Sequence, residues 1–373
     1  MKIFVTGADG FIARNLIFKL KESKKFNITT SNRSTSYQEY EKLLVESDFI
    51  FHIAGENRSK NNNDFEENNF NLTKTICEII KKNKIKAPLL FTSTTQVGNG
   101  TIYGDTKLKS EHCLESLHHD NSNNIVILRL NGVFGKWCKP NYNSVVATFC
   151  FNAINNLKSE IIEGDRLLRL SYIDDVVEEL SKFISNTETG FNIVNINSFY
   201  EISVNELHKN ILKISDLVNG DCVNNVGSGI ERALYSTYLS YLPKESFSSF
   251  LDTNDDQRGR FVELLKTQNS GQFSFFTAKP GVTRGGHYHH TKNEKFFVVF
   301  GNALFNFKNI LTGESFQIEA SDNNPSCIST IPGWAHDITN TGESDLIVLL
   351  WANEIFDQKT PDTFSYNLQN EKA

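Results

Sequence analysis

Met1-Lys2-Ile3-Phe4-Val5-Thr6-Gly7-Ala8-Asp9-Gly10-Phe11-Ile12-Ala13 decides the fold of the first half of the chain. One positive charge precedes four residues suited to a buried strand, a glycine turn follows, and Phe11–Lys21 has helical spacing with basic residues toward its end. Glycines let a backbone turn tightly and approach a pyrophosphate, and the helix N-terminus beyond offers free N–H groups and a partial positive charge. Ala13 is small enough for close packing of helix on strand. Between a strand and a helix, this turn predicts dinucleotide binding, with Gly7, Asp9, Gly10, Phe11, Ile12 and, further on, Ala54 as contacts. The next strand ends Ile28-Thr29-Thr30-Ser31-Asn32-Arg33, with no carboxylate for a ribose 2′-hydroxyl. Arg33 suits a 2′-phosphate, so NADPH is expected rather than NAD.

Outward from this turn, apolar runs at Asp48–Ile53, Ala87–Thr92 and Ile125–Leu130 alternate with amphipathic stretches at Leu72–Lys81 and Asp105–Leu117. That alternation predicts an α/β doubly wound parallel sheet of Rossmann type. The Asn-rich stretch Glu56–Asn71 interrupts it, and its first part reads as a surface loop. After about residue 250 the character changes. Gln272–Ala278, Lys295–Phe300, Ala303–Lys308, Glu314–Ile318 and Asp345–Ala352 are short β-prone runs punctuated by Gly, Asn and Pro, which predicts an all-β barrel or sandwich. Two domains are therefore expected, residues 1–245 and 246–373.

The chain has 373 residues and a net charge of −6, which argues against nucleic-acid and polybasic membrane-surface partners. Six cysteines without a Cys-x-x-Cys pair read as reduced thiols. No apolar run approaches the ~20 residues of a membrane span, and the start lacks the apolar core of a secretory signal. A cytoplasmic protein is expected.

Tyr103 and Lys107 stand four apart, so one helical turn places them on one face. A free phenol titrates near ~10 and is a poor acid at neutral pH. A neighbouring ammonium is expected to lower that value, so the phenol can protonate a carbonyl oxygen while a nicotinamide delivers hydride to its carbon. Thr94, near the end of the preceding strand, supplies a hydroxyl to orient that oxygen. The combination, with His52-Ile53-Ala54-Gly55, Arg129-Leu130-Asn131-Gly132 and Tyr172-Ile173-Asp174-Asp175, resembles the extended short-chain dehydrogenase/reductase family. By this resemblance Asn131 and Arg129 contact a nucleotide-sugar substrate. Members that dehydrate such sugars resemble Thr-Asp-Glu where this chain has Thr94-Thr95-Gln96; without a carboxylate there, simple redox chemistry is expected.

Gly281, His287, His289, Glu294 and Gly301 follow the order G-x5-H-x-H-x4-E-x6-G, and Gly333-Trp334-Ala335-His336 adds a third imidazole. Alternate strand residues point to one side, so His287 and His289 can converge. Three His and one Glu suit a borderline divalent metal, iron as well as zinc. His290 reads equally as an acid–base group or as an exposed side chain. The spacing resembles the cupin motifs, although Ile331 stands where those carry Pro. The pairing of domains, with strings such as Gly135-Lys136-Trp137-Cys138-Lys139-Pro140 and Pro361-Asp362-Thr363, resembles the CapF-type enzymes of capsular polysaccharide synthesis. That resemblance implies a homodimer, zinc in the cupin domain, and a UDP-linked 4-keto-6-deoxy-N-acetylhexosamine substrate. It further implies epimerisation at C-3 by the cupin domain, then reduction at C-4 with NADPH to UDP-2-acetamido-2,6-dideoxy-L-talose. The alternative is a reductase alone, with the β-domain a dimerisation or binding module.

Overall fold

A computed structural model describes residues 1–185, 189–220 and 222–368. The chain divides into two compact units, one of Met1–Ser215 with Gly227–Leu242, the other of Asp216–Val226 with Pro243–Ala373. The second unit thus takes in a segment that the sequence pattern assigns to the first domain. There the Val223 N–H donates to the Lys266 carbonyl at 2.7 Å.

In the first unit the order is β1 Lys2–Thr6, α1 Phe11–Glu22, β2 Asn27–Ser31, α2 Tyr37–Val45, β3 Phe49–His52, α3 Asn62–Phe65, a π-helical stretch Glu66–Asn71, α4 Leu72–Lys82, β4 Leu89–Thr94, α5 Ile102–Asn121 and β5 Ile125–Leu130. Then come β6 Gly132–Phe134, α6 Val145–Ile154, β7 Leu167–Tyr172, α7 Ile173–Ser185, β8 Phe191–Asn195, β9 Tyr200–Ser203, α8 Val204–Asn219, whose last turn passes into the second unit, and α9 Gly229–Leu239. The main sheet is parallel throughout, in the order β2-β1-β3-β4-β5-β8. Ile3, Phe4 and Val5 are all fully buried, as expected of a strand covered on both faces. One layer of core joins Phe4, Ile50 and Phe91 to Leu44 of α2, Ile76 and Ile80 of α4, and Leu114 of α5. The strand order reverses direction at β1, between β2 and β3. Ligands of open α/β sheets bind at such a switch point, beyond the carboxyl ends of the strands, and the Gly7 turn sits there.

The second unit is all β. Its strands are β10 Thr253–Asp256, β11 Gly259–Thr267, β12 Gly271–Ala278, β13 Thr283–Tyr288, β14 Glu294–Phe300, β15 Asn302–Asn309, β16 Ser315–Ser321, β17 Ile328–Ser329, β18 Trp334–Asn340, β19 Leu346–Ala352 and β20 Phe364–Ser365. They form two antiparallel sheets, β10-β11-β12-β19-β14-β17 and β16-β15-β18-β13-β20. Phe276, Phe296 and Val348 of the first sheet pack with Phe305, Phe307 and Ile338 of the second in one core. Among the described residues no helix is long and apolar enough to cross a membrane.

Candidate active sites

The turn after β1 is closed by Gly7, at φ +72°, and a Cβ there would lie 2.7 Å from the Cα of Ala54, just past β3. Any side chain at residue 7 would wedge β1 from β3 at the switch point. The first turn of α1 carries no acidic residue, and Gly10 caps it without a side chain. Its leading N–H groups are left to a ligand, as a pyrophosphate site requires.

Behind the turn lies a buried polar lattice. Thr6 Oγ1 accepts the N–H groups of Ile53 and Ala54 at 3.1 and 3.0 Å, so its own proton goes to His52 Nδ1, 3.0 Å away. Thr73 donates to the Asn69 carbonyl at 2.8 Å and so accepts from His52 Nε2 at 2.8 Å. These partners define a neutral His52 protonated on Nε2. Burial, and then the charge of Lys107, pull its pKa down to about 3.

Thr94 ends β4, and the Thr101 hydroxyl caps α5 by accepting the Gly104 N–H, so the phenol of Tyr103 reaches the Thr94 hydroxyl from the first turn. Lys107 is 4% exposed; its ammonium donates to the Thr92 carbonyl at 3.0 Å and stands 4.5 Å from the centre of the Phe91 ring. Gly55 makes room for it, because a Cβ there would lie 3.0 Å from Lys107 Nζ. The three predicted reductase residues therefore gather at the carboxyl end of β4. The titration of the phenol differs from expectation. Burial raises the Tyr103 pKa and the Thr94 hydrogen bond only partly offsets it, while burial draws Lys107 down to about 8, against the raising effect of Glu111. In this structure the ammonium serves the Thr92 carbonyl.

Two predicted ligand contacts have protein partners. Arg33, mostly exposed, reaches Glu56 Oε2 at 2.7 Å, and Tyr142 also donates to that buried carboxylate. Arg129, proposed for substrate, instead grips Glu111 from Nε at 3.0 Å and from its terminal nitrogen at 2.5 Å. Glu111 also accepts from Ser93 at 2.5 Å. Asn131 lies half-buried just past β5. Glu56 and Glu111 escaped the sequence reading. Glu111 stands one helical turn beyond Lys107, a spacing that could have pointed to it.

In the second unit His287 of β13 lies directly opposite His336 of β18, past a bulge at Gly286. With His289 and Glu294, at the start of β14, they offer four donor atoms all within 4.8 Å of one another. His289 Nδ1 is held by the backbone carbonyl of Asp362, which only accepts. A neutral His289 ring therefore presents a bare Nε2 to Glu294 Oε2, 3.3 Å away. His336 Nε2 lies 3.2 Å from the same oxygen. The ring is 1% exposed, and neither of its nitrogens makes a hydrogen bond. The Lys292 ammonium lies 3.2 Å from the other oxygen of the Glu294 carboxyl. Burial, then the neighbouring His336, pull His287 down to about 4. Three imidazoles and a carboxylate converging in this way form a donor set that fits a divalent cation.

A glycine turn at a switch point and a Tyr–Lys–Thr set at the carboxyl end of β4 define a dinucleotide-dependent α/β enzyme. The chain belongs to the NAD dependent epimerase/dehydratase family, whose model matches residues 3–197, as a CapF-type member in which a polysaccharide biosynthesis C-terminal domain matches residues 254–364. It is 45% identical to the UDP-2-acetamido-2,6-beta-L-arabino-hexul-4-ose reductase of Pseudomonas aeruginosa, over 98% of each chain. The crystal structure of the capsular polysaccharide assembling protein CapF from Staphylococcus aureus superposes with a TM-score of 0.90 at 35% identity, covering 98% of this chain and all of that one. UDP-glucuronic acid 4-epimerase from Bacillus cereus, in complex with NAD, shares the fold of the first unit at a TM-score of 0.56 and 19% identity, over 64% of this chain and 98% of its own.

Proposed function

We propose that the first unit reduces the C-4 ketone of a UDP-2-acetamido-2,6-dideoxy-4-ketohexose with NADPH, after the second unit has inverted C-3, to give UDP-2-acetamido-2,6-dideoxy-L-talose. One observation carries this reading: a Thr94–Tyr103–Lys107 set in one unit and four convergent donors in the other share a chain. The name of the Pseudomonas aeruginosa relative supports the 4-keto sugar nucleotide.

The nicotinamide, when bound, supplies the hydride. Thr94 orients the ketone oxygen and Tyr103 protonates it as the carbon is reduced. The raised pKa of Tyr103 keeps its proton in place at neutral pH. Lys107 holds positive charge beneath the site. Arg33, exposed and tethered only by one carboxylate, is placed to exchange Glu56 for a 2′-phosphate. His287, His289, Glu294 and His336 would hold the metal; zinc is our choice for this donor set, and when bound it would act as a Lewis acid on the ketone, acidifying the C-3 proton. Reduction removes that ketone, so the inverted centre cannot revert by the same route. The cysteines of this chain are free, which suits the cytoplasm. We assign a homodimer, to be read from the mass in solution.

Incubation with the 4-keto sugar nucleotide in heavy water tests the reading. Deuterium is expected at C-3 with or without NADPH. Tyr103→Phe should lose at least ~100-fold in reduction, the scale of a general acid, and keep the exchange. His287→Ala should lose the exchange and still reduce a substrate already inverted at C-3. Exchange that survives the loss of both His287 and His336 refutes the metal role. Absence of any exchange leaves the reductase alone.

A further inference from the structure

We propose that Asp362 is the positioning residue of the four-donor site, fixing through its carboxylate and its backbone carbonyl the loop that carries His289. The inference rests on the metal reading above and extends it to a residue outside the donor set.

His289 needs such support. It lies one residue beyond β13, so no strand pairing orients its ring, and residues 290–293 run free of strand before Glu294 begins β14. A ligand on a loop is placed less accurately than one on a strand unless other groups lock it. Asp362 touches four consecutive loop residues. Its Oδ1 accepts the His290 N–H at 2.9 Å; its Oδ2 accepts the Thr291 and Lys292 N–H groups at 2.7 and 2.8 Å and the Thr291 hydroxyl at 3.0 Å. Its carbonyl takes the Nδ1 proton of His289. That last bond sets the tautomer and leaves Nε2 bare toward Glu294, as a ligating imidazole requires.

Asp362 is itself held from the other side. Phe364 and Ser365 pair with Tyr288 and His287, and the Tyr366 N–H donates to the Gly286 carbonyl at 2.8 Å. Phe364 stacks on Tyr288 with ring centres 5.4 Å apart and meets His290 edge-on at 4.8 Å. The segment after β19 is therefore a strap across the end of β13, pinned to the strand by β20 and to the loop by Asp362.

Zn²⁺ affinity of the full chain, by competition with a chromogenic chelator, tests the assignment. Asp362→Asn keeps size but gives one backbone N–H an amide NH₂ to face, so affinity should fall ~10–100-fold, the usual effect of losing a group that orients a ligand. Asp357→Asn, in the same strap but bonded only to Lys359 and Thr360, should leave it unchanged. The ¹⁵N spectrum of the metal-free wild type should show His289 protonated on Nδ1, and Asp362→Asn should blur that signature. A folded Asp362→Asn protein that binds Zn²⁺ within threefold of wild type overturns the proposal. Should that variant fail to fold, the wild-type spectrum decides, and a proton on Nε2 overturns it. Wild type that binds no Zn²⁺ sinks the metal reading itself, whatever Asp362 does.

Discussion

Glu111→Gln separates what holds the reductase site together from what makes it react. Glu111 is 2% exposed and takes both guanidinium bonds of Arg129 as well as the Ser93 hydroxyl. Removing one charge of a buried pair typically costs ~3–5 kcal/mol, because the other charge stays buried without its partner. The Arg129 side chain is 25% exposed, so water relieves part of that penalty and the lower end, about 3 kcal/mol, is expected. Replacing both, as Glu111→Leu with Arg129→Met, should cost less than the two single changes together. The same carboxylate raises the pKa of Lys107, which burial draws down to about 8. With that value ~90% of the chains carry the ammonium at pH 7. Without Glu111 the pKa falls further, so the deficit in reduction should widen from pH 6.5 to pH 8.5. Urea unfolding followed by far-ultraviolet circular dichroism reads the stability, since the helices lie almost entirely in the first unit. NADPH oxidation from pH 6 to 9 reads the chemistry. A variant within ~0.5 kcal/mol of wild type would refute the stability argument, because surface changes have effects of that size. A pH profile parallel to wild type would refute the link to Lys107.

His52 makes stability depend on acid. Its folded pKa, about 3, lies below the ordinary 6.5, so the unfolded chain binds more protons between the two. Stability is full above pH 6.5 and is lost as pH falls toward 3, by about 2 kcal/mol at pH 5; His52→Gln should flatten that loss in urea midpoints, and an unchanged slope would count against a neutral buried ring. Arg33→Ala should raise KM for NADPH ~10–100-fold, the worth of a charge-assisted bond, and move KM for NADH little; equal changes in both would remove Arg33 from the 2′-phosphate.

Much of this was legible because it is periodic or local. Ile125–Leu130 is a strand over the predicted span, and Phe11–Glu22 starts where the glycine turn says it must. Tyr103 with Lys107 is a spacing argument within one helix; His287 with His289 reads as one strand, and although His289 falls one residue past β13, the structure brings both pairs to a site. The Asn-rich tract was half legible. Its first part is loop, but 62–71 is helical because Phe65 and Asn69 are buried, Asn69 bonding Glu56 at both its N–H and its carbonyl. What stayed hidden is long-range pairing of charge. Arg129 and Arg33 read as ligand contacts in the sequence, which does not show that Glu111 and Glu56 come within reach of them. Asp362, more than 70 residues from His289, is invisible for the same reason.

Two histidines show why partner accounting, and not burial, separates a scaffold group from a chemical one. His52 and His336 are both essentially sealed from water, at 0% and 1% exposure, and each follows or sits in an apolar run. His52 has a hydroxyl on each nitrogen, one donating and one accepting, so the ring is complete as a neutral group and a cation beside it would only cost energy. His336 has no hydrogen bond on either nitrogen, yet stands 3.2 Å from a carboxylate oxygen that a second bare imidazole also faces. A buried polar atom without a partner costs ~1–3 kcal/mol, and like partial charges pressed together add to that. A divalent cation entering the cluster would satisfy the nitrogens and the carboxylate together, as the metal site proposed above requires. Partner accounting thus marks His52 as a scaffold group beside the glycine turn and leaves His336 to the proposed metal site.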